Sequence, residues 1–260
     1  MWQAISHLLS EQLGEGEIEL RNELPGGEIH AAWHLRYAGR DLFVKCDERE
    51  LLPIFTAEAD QLELLSRSKT VSVPQVRAVG SDRDYSFLVM DYLPARPLDA
   101  HNAFILGQQI ARLHQWSDQP QFGLDFDNDL STTPQPNAWQ RRWSTFFAEQ
   151  RIGWQLELAA EKGLEFGNID AIVDHIQQRW PRISRNLPCC TAIYGRTTAR
   201  WVQTVLISLI RPATGGTESA TWPCCRYIQN SRRRFTTAIS PFHPYRPTFY
   251  KGNPCISFIP

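Results

Sequence analysis

Residues Asp41-Leu42-Phe43-Val44-Lys45 constrain the first half of the chain more than any other stretch. Period-two alternation sends Leu42 and Val44 to one face of a strand, and Phe43 and Lys45 to the other. One face therefore needs a core, and the other needs water or a carboxylate for its lysine. A lysine near a strand end is ordinarily solvated. The flanking sequence argues for a partner instead. Ile54 to Leu65 has helical periodicity, with Phe55, Ala59, Leu62 and Leu65 on its apolar face and Glu58 beside that face. Glu63 is the better candidate for a solvated position. An unpaired buried charge costs several kcal/mol, so we expect Lys45 and Glu58 to form an ion pair.

Upstream, Ile18-Glu19-Leu20 and Ala31 to Leu35 read as strands around Leu24-Pro25-Gly26-Gly27-Glu28. A plain hairpin is the commoner cause of such a glycine pair. Glycines also let a backbone approach a phosphate and point N–H groups at it. Downstream, Val71 to Val76 is strand-like and Ser81 to Asp84 is a polar turn. Tyr85 to Met90 is a nearly continuous apolar run, as in a buried strand. It runs into Asp91-Tyr92-Leu93-Pro94, where Pro94 and Pro97 stop regular structure. Glycine turn, strand lysine, helix glutamate and linker, in that order, resemble the ATP-holding half of a protein-kinase-like phosphotransferase.

The next segments are helical or extended. Asn102 to Trp116 carries Phe104, Leu106, Ile110 and Leu113 at helical spacing, and His114 near its end reads as a cap or packing residue. Asp125 to Asn128 is an acidic loop without the glycine and glutamate spacing of a calcium loop. Thr133 to Asn137 is a rigid extended segment. Trp139 to Ala160 reads as one long helix whose aromatics are mostly core, and Ile169 to Arg179 as another helix. The N-terminal stretch, Met1 to Leu13, is an amphipathic helix without a cleavage site. No apolar run approaches the roughly 20 residues of a membrane span. One cysteine before residue 180 fits a reducing, cytoplasmic setting.

Charge divides the chain sharply. Residues 1–179 hold 27 acidic against 16 basic residues, a net of −11; residues 180–260 hold one acid, Glu218, against 11 basic residues. Five of six cysteines and nine of 17 prolines also follow Arg179. Such a shift ordinarily marks a second domain or a nucleic-acid-binding arm.

Residues 1–179 resemble the fructosamine kinase family, in its bacterial ketosamine-3-kinase-like branch. The resemblance is carried by Gly26-Gly27, Phe43-Val44-Lys45, Ala57-Glu58-Ala59, Val89 to Leu93, and Leu106-Gly107 to Leu113-His114. Narrower still are Phe122-Gly123, Ser131 to Asn137, Trp139, Trp143, Phe146-Phe147, Arg151 and Gln155. It implies an α+β, two-lobed, aminoglycoside-phosphotransferase-like fold, with an ATP-binding lobe over 1–93 and part of a helical lobe, left incomplete, over 94–179; residues 180–260, whose prolines interrupt nearly every apolar run, are expected to be an aberrant, poorly ordered tail. It implies a kinase that moves the γ-phosphate of ATP, with Mg2+, to the sugar 3-hydroxyl of a ketosamine or glycated amine, a deglycation repair. By position, Gly26 and Gly27 would cover the phosphates, Lys45 would hold them and pair with Glu58, and Met90, Asp91, Tyr92, Leu93 and Pro94 would hold adenine. Neither a membrane nor a specific nucleic acid is implied as a partner.

The family's catalytic loop, His-Gly-Asp-x-x-x-x-Asn, and its later metal-binding Asp have no counterpart after Arg179, where no aspartate occurs. Cys190 to Trp201 accounts for this. Its residues admit codons that, one frame over, spell His-Gly-Asp-Leu-Trp-Ser-Asp-Asn-Cys-Ala-Leu, and two bases of each recovered codon are fixed by the sequence as it stands, apart from the two read through Arg196 and Arg200. The lost motif lies out of frame around Thr191, Ala192 and Ile193, so this chain has no catalytic or metal-binding residues of its own. Gln203 to Gly216 shifts similarly to a run containing Phe-Asp-Pro, which supplies the metal-binding Asp. One lost base at Arg179/Trp180 would explain the charge jump, Cys189-Cys190 and Cys224-Cys225 together. Arg232-Arg233-Arg234 would then be no evolved nucleic-acid patch. The alternative is a non-catalytic nucleotide-binding or polyanion-binding protein with a basic tail.

Overall fold

In a computed structural model, residues 1–25, 30–94, 100–116, 121–130 and 133–179 are described, with four short segments at 189–191, 199–202, 205–208 and 213–215. Five strands form one antiparallel sheet: β1 (Ile18–Leu24), β2 (Ala31–Tyr37), β3 (Arg40–Glu48), β4 (Val76–Ser81) and β5 (Tyr85–Asp91), in the order β1-β2-β3-β5-β4. β3 lies at the centre, with Val44 opposite Trp33 on β2 and Val89 on β5. Its alternation holds as expected. Leu42, Val44 and Cys46 are buried on one face, while Phe43 joins the core on the other.

Each face has its own helix. Helix α1 (Trp2–Leu13) lays Ile5 and Leu9, both fully buried, on Leu35, Tyr37, Leu42, Val44, Phe87 and Val89. Complete burial of one such side chain contributes about 1.5–3 kcal/mol. Helix α2 (Leu52–Arg67) covers the opposite face, where Phe55 and Leu62 meet Phe43, Leu88 and Met90. Pro53 lies in its first turn, where a missing N–H costs nothing.

Two segments differ in kind from the sequence reading. Residues 71–75 are not strand; β4 begins at Val76 and runs through Ser81, so the turn is confined to 82–84. Pro74 lacks a ladder donor, which explains the late start. The segment 139–160 is not one regular helix. It starts as α4 (Trp143–Phe147), passes through a π-helical turn at Ala148–Gly153 and continues as α5 (Trp154–Glu161). Between α2 and α4 lie β5's exit, α3 (Ala100–Gln115), and a hairpin of β6 (Asn128–Leu130) and β7 (Thr133–Gln135). Phe104 on α3 is exposed rather than core. Helix α6 (Ile169–Arg179) keeps its expected bounds and packs on the π turn.

After Arg179 the described residues are four strands of three or four residues, β8 (Cys189–Thr191), β9 (Ala199–Val202), β10 (Val205–Ser208) and β11 (Ala213–Gly215). β9 pairs with β10 and β8 with β11. Ala192 and Ile193 lie outside the described residues.

Leu9→Ala should destabilise the chain by about 2–5 kcal/mol, through lost transfer energy and a cavity against Val44 and Leu35. Urea unfolding followed by tryptophan fluorescence measures it.

Candidate functional site

Lys45 and Glu58 meet. Lys45 Nζ donates to Glu58 Oε1 at 2.5 Å, and each side chain is about one-fifth exposed. Both positions follow from local pattern. Lys45 shares a strand face with Phe43, two residues away, and lies opposite Ala32 and Leu88. Glu58 is three residues after Phe55 and four before Leu62, so the stripe that grips the sheet carries it there. A lysine ammonium has three donors. With one given to Glu58, two remain for an anion.

The linker after β5 is tied to the sheet on both sides. Asp91 N donates to Gln75 O at 3.0 Å, and Tyr92 N to Asp41 O at 3.1 Å. The Asp91 carboxylate accepts a two-pronged pair from Arg77, Nε to Oδ1 at 2.7 Å and Nη2 to Oδ2 at 2.9 Å. Its side chain is therefore committed to β4. Tyr92 stacks on His34 with centroids 4.3 Å apart. His34 Nε2 and Arg36 Nε both donate to Asp41 Oδ1, at 2.8 and 2.9 Å. Those bonds, from Arg36 first and His34 second, hold the Asp41 carboxyl below its ordinary value. Met90 is 2% exposed and its side chain belongs to the core; Leu93 is half-buried and Pro94 exposed. Gly26 and Gly27 lie outside the described residues.

A second cluster lies where the hairpin meets the π turn. Arg151 Nη1 donates to Pro136 O at 2.6 Å and Gln150 O at 2.8 Å, and Nη2 to Asn137 Oδ1. Its guanidinium carbon sits 4.6 Å from the Phe146 ring centroid. Burial pushes its pKa down to about 10 while Asp127 opposes that, so the group stays charged at neutral pH. Asp127 Oδ1 accepts from Asn137 N, and Asp125 Oδ1 from Trp139 Nε1. Both acids thus hold the extended segment in place. Gly123 is required beneath it: at φ +140°, an added Cβ would lie 2.6 Å from Asn137 O. Trp143 and Phe146 are core as expected, but Trp154 is only half-buried, its indole N–H bonded to Pro134 O.

Among the described residues no group of three or more His, Cys, Asp or Glu could hold a metal ion. Burial pushes the Cys46 thiol up, which disfavours the nucleophilic thiolate. No described helix is long and apolar enough to cross a membrane. Sequence reasoning missed His30, His34 and Arg77 as site-shaping residues. For His34 the only signal was register, since it lies opposite Phe43 on the Lys45 face.

Arg151→Ala should cost on the order of 2–4 kcal/mol by leaving carbonyl and amide acceptors unpaired. Arg151→Lys should recover less than half, because an ammonium cannot span the same acceptors; chemical denaturation reads both. The Asp41 contribution has the sign of a depressed carboxylate. It is complete above the unfolded value of 3.8 and is lost as pH falls through the lower folded value. Carboxyl NMR should place the Asp41 titration below 3.8 and move it up in Arg36→Ala.

The sequence model of the fructosamine kinase family matches residues 1–189. The "Probable ketoamine kinase YniA" of Escherichia coli strain K12 is 91% identical over 179 residues, 69% of this chain. This chain spans 63% of that relative's length. The "Probable ketoamine kinase" of Klebsiella aerogenes is 67% identical over 262 residues, covering 100% of this chain and 86% of the relative. The crystal structure of a "Putative fructosamine-3-kinase" from Haemophilus somnus 129PT aligns with a TM-score of 0.84 at 32% identity, over 95% of this chain and 84% of the other. A mixed sheet-and-helix arrangement of the protein-kinase-like type, with these relatives, leads to one assignment: the chain belongs to the fructosamine kinase family.

Proposed function

We propose that this chain descends from an ATP-dependent ketosamine 3-kinase and retains its nucleotide-holding half. The observation that carries the reading is the 2.5 Å pair between Lys45 on β3 and Glu58 on α2. In this reading Lys45 holds the α/β-phosphates of ATP, and Glu58 fixes the ammonium over them. Gly26 and Gly27 cover the phosphates. Backbone groups of Met90 to Pro94 hold adenine, which agrees with the commitment of the Asp91 and Met90 side chains elsewhere. Residues 1–93 act as the ATP lobe and 94–179 as the start of the helical lobe. The complete protein works in a cytoplasmic setting on the sugar 3-hydroxyl of a ketosamine.

The chain as it stands carries out no transfer. Phosphoryl transfer needs a base and a metal clamp opposite the lysine, and Glu218 is the only acid after Arg179. A lost base at Arg179/Trp180 agrees with the 179-residue extent of the Escherichia coli alignment. A second reading has one observation in its favour. The Klebsiella aerogenes alignment runs through the whole chain, as expected if 180–260 is a real module of a non-catalytic nucleotide- or polyanion-binding protein. Tail-truncated protein tested for ATP and RNA binding separates the two readings.

Incubated with ATP, Mg2+ and a ketosamine acceptor, this chain should consume no ATP above background. Insertion of one base near Arg179, with enough downstream sequence to finish the lobe, should bring clear turnover that Lys45→Ala lowers at least 100-fold. Robust turnover by the unaltered chain, lost in Lys45→Ala, would overturn the frame reading.

A further inference from the structure

His30 joins the two elements that carry the ion pair. It lies one residue before β2, whose first residue, Ala31, is opposite Cys46. His30 Nδ1 donates to Asp47 Oδ2 at 2.6 Å, and the two side chains are 10% and 23% exposed. Asp47 is two residues after Lys45, so both side chains leave β3 on the same face, about 7 Å apart along the strand. The His30 ring also meets the Phe55 ring edge-on, with centroids 5.0 Å apart. Phe55 is fully buried and lies three residues before Glu58, one helical turn away on the same side. A single imidazole is thus bonded next to the lysine on its strand and packed next to the glutamate on its helix. Ser86, opposite Asp47 on β5, spends its hydroxyl on Glu48 O, which leaves His30 as the described side chain bonded to the Asp47 Oδ2 oxygen.

We propose that His30 is a positioning residue: through Asp47 and Phe55 it sets the register of α2 against β3 and so holds Glu58 on Lys45. Without it, the sheet-facing core still places α2 on the sheet but leaves the helix free to slide or rotate slightly. A bond of 2.5 Å between two partly solvated side chains is sensitive to such a shift, whereas the core is not. The value of this device for nucleotide binding rests on the reading of Lys45 given above.

The test uses the full chain. Lys45→Met and Glu58→Gln are made singly and together, with His30 intact and in His30→Ala, and the non-additive shift in unfolding midpoint is compared. The coupling should fall to less than half in His30→Ala. His30→Gln, whose amide N–H can reach Asp47, should restore part of it, and Asp47→Asn should reduce it. Fluorescent ADP should bind His30→Ala at least tenfold more weakly, with His30→Gln in between. Coupling unchanged in both His30→Ala and Asp47→Asn overturns the proposal. Should His30→Ala fail to fold, His30→Gln and Asp47→Asn decide it by the same comparison. If Lys45→Met leaves ADP binding unaltered, the nucleotide reading fails, while the unfolding comparison still decides the role of His30.

Discussion

The contact between Lys45 and Glu58 sets the demands that the five-stranded sheet and its two helices meet. Two ionised groups with about four-fifths of their surface covered lose much of their hydration. Each is tolerable there only because the other is present. A hydrogen bond to a charged group contributes about 1.5–3 kcal/mol, which is small beside the packing that brings the partners together. The sheet supplies a rigid base for the lysine, and α2 supplies the glutamate from a helix gripped at Phe55 and Leu62. Geometry comes from the apolar residues, and the ion pair depends on that geometry.

Polar residues then fix what packing leaves loose. Arg77 holds Asp91, Asp41 accepts from Tyr92 N, and His34 covers the Tyr92 ring. These bonds secure the segment after β5 from both sides of that strand, through the backbone N–H groups of Asp91 and Tyr92 as well as through side chains. His30 occupies the corresponding place at the other end of the Lys45 strand. The inner face therefore reads as a lysine row between two histidine rows, each histidine tied to an aspartate on β3.

The hairpin and π turn follow a different logic. Arg151 is a partly buried cation met by carbonyls, an amide and a phenyl ring rather than by direct contact with a carboxylate. It carries a desolvation cost in exchange for fixing 136–137 against the helix. The π turn is what places Gln150 and Arg151 side by side on that segment: Gln150 reaches Ala138 O while Arg151 reaches Pro136 O. These contacts explain why a run as distinctive as Thr133 to Asn137 is extended and buried at Gln135 and Asn137 although it contains two prolines.

Sequence alone determined the alternation of β3, the apolar stripes of α1 and α2, and the pairing of Lys45 with Glu58, because each is set by a short period and by the cost of burying a lone charge. It also records the change of charge after Arg179, where Glu218 is the one acid against 11 basic residues. Tertiary structure decided what depends on distant backbone. The π turn is held by carbonyls 12 to 15 residues earlier in the chain. The roles of His30 and His34 come from antiparallel register, which places residues from different strands opposite one another. No local period in the sequence records which histidine will stand beside which aspartate.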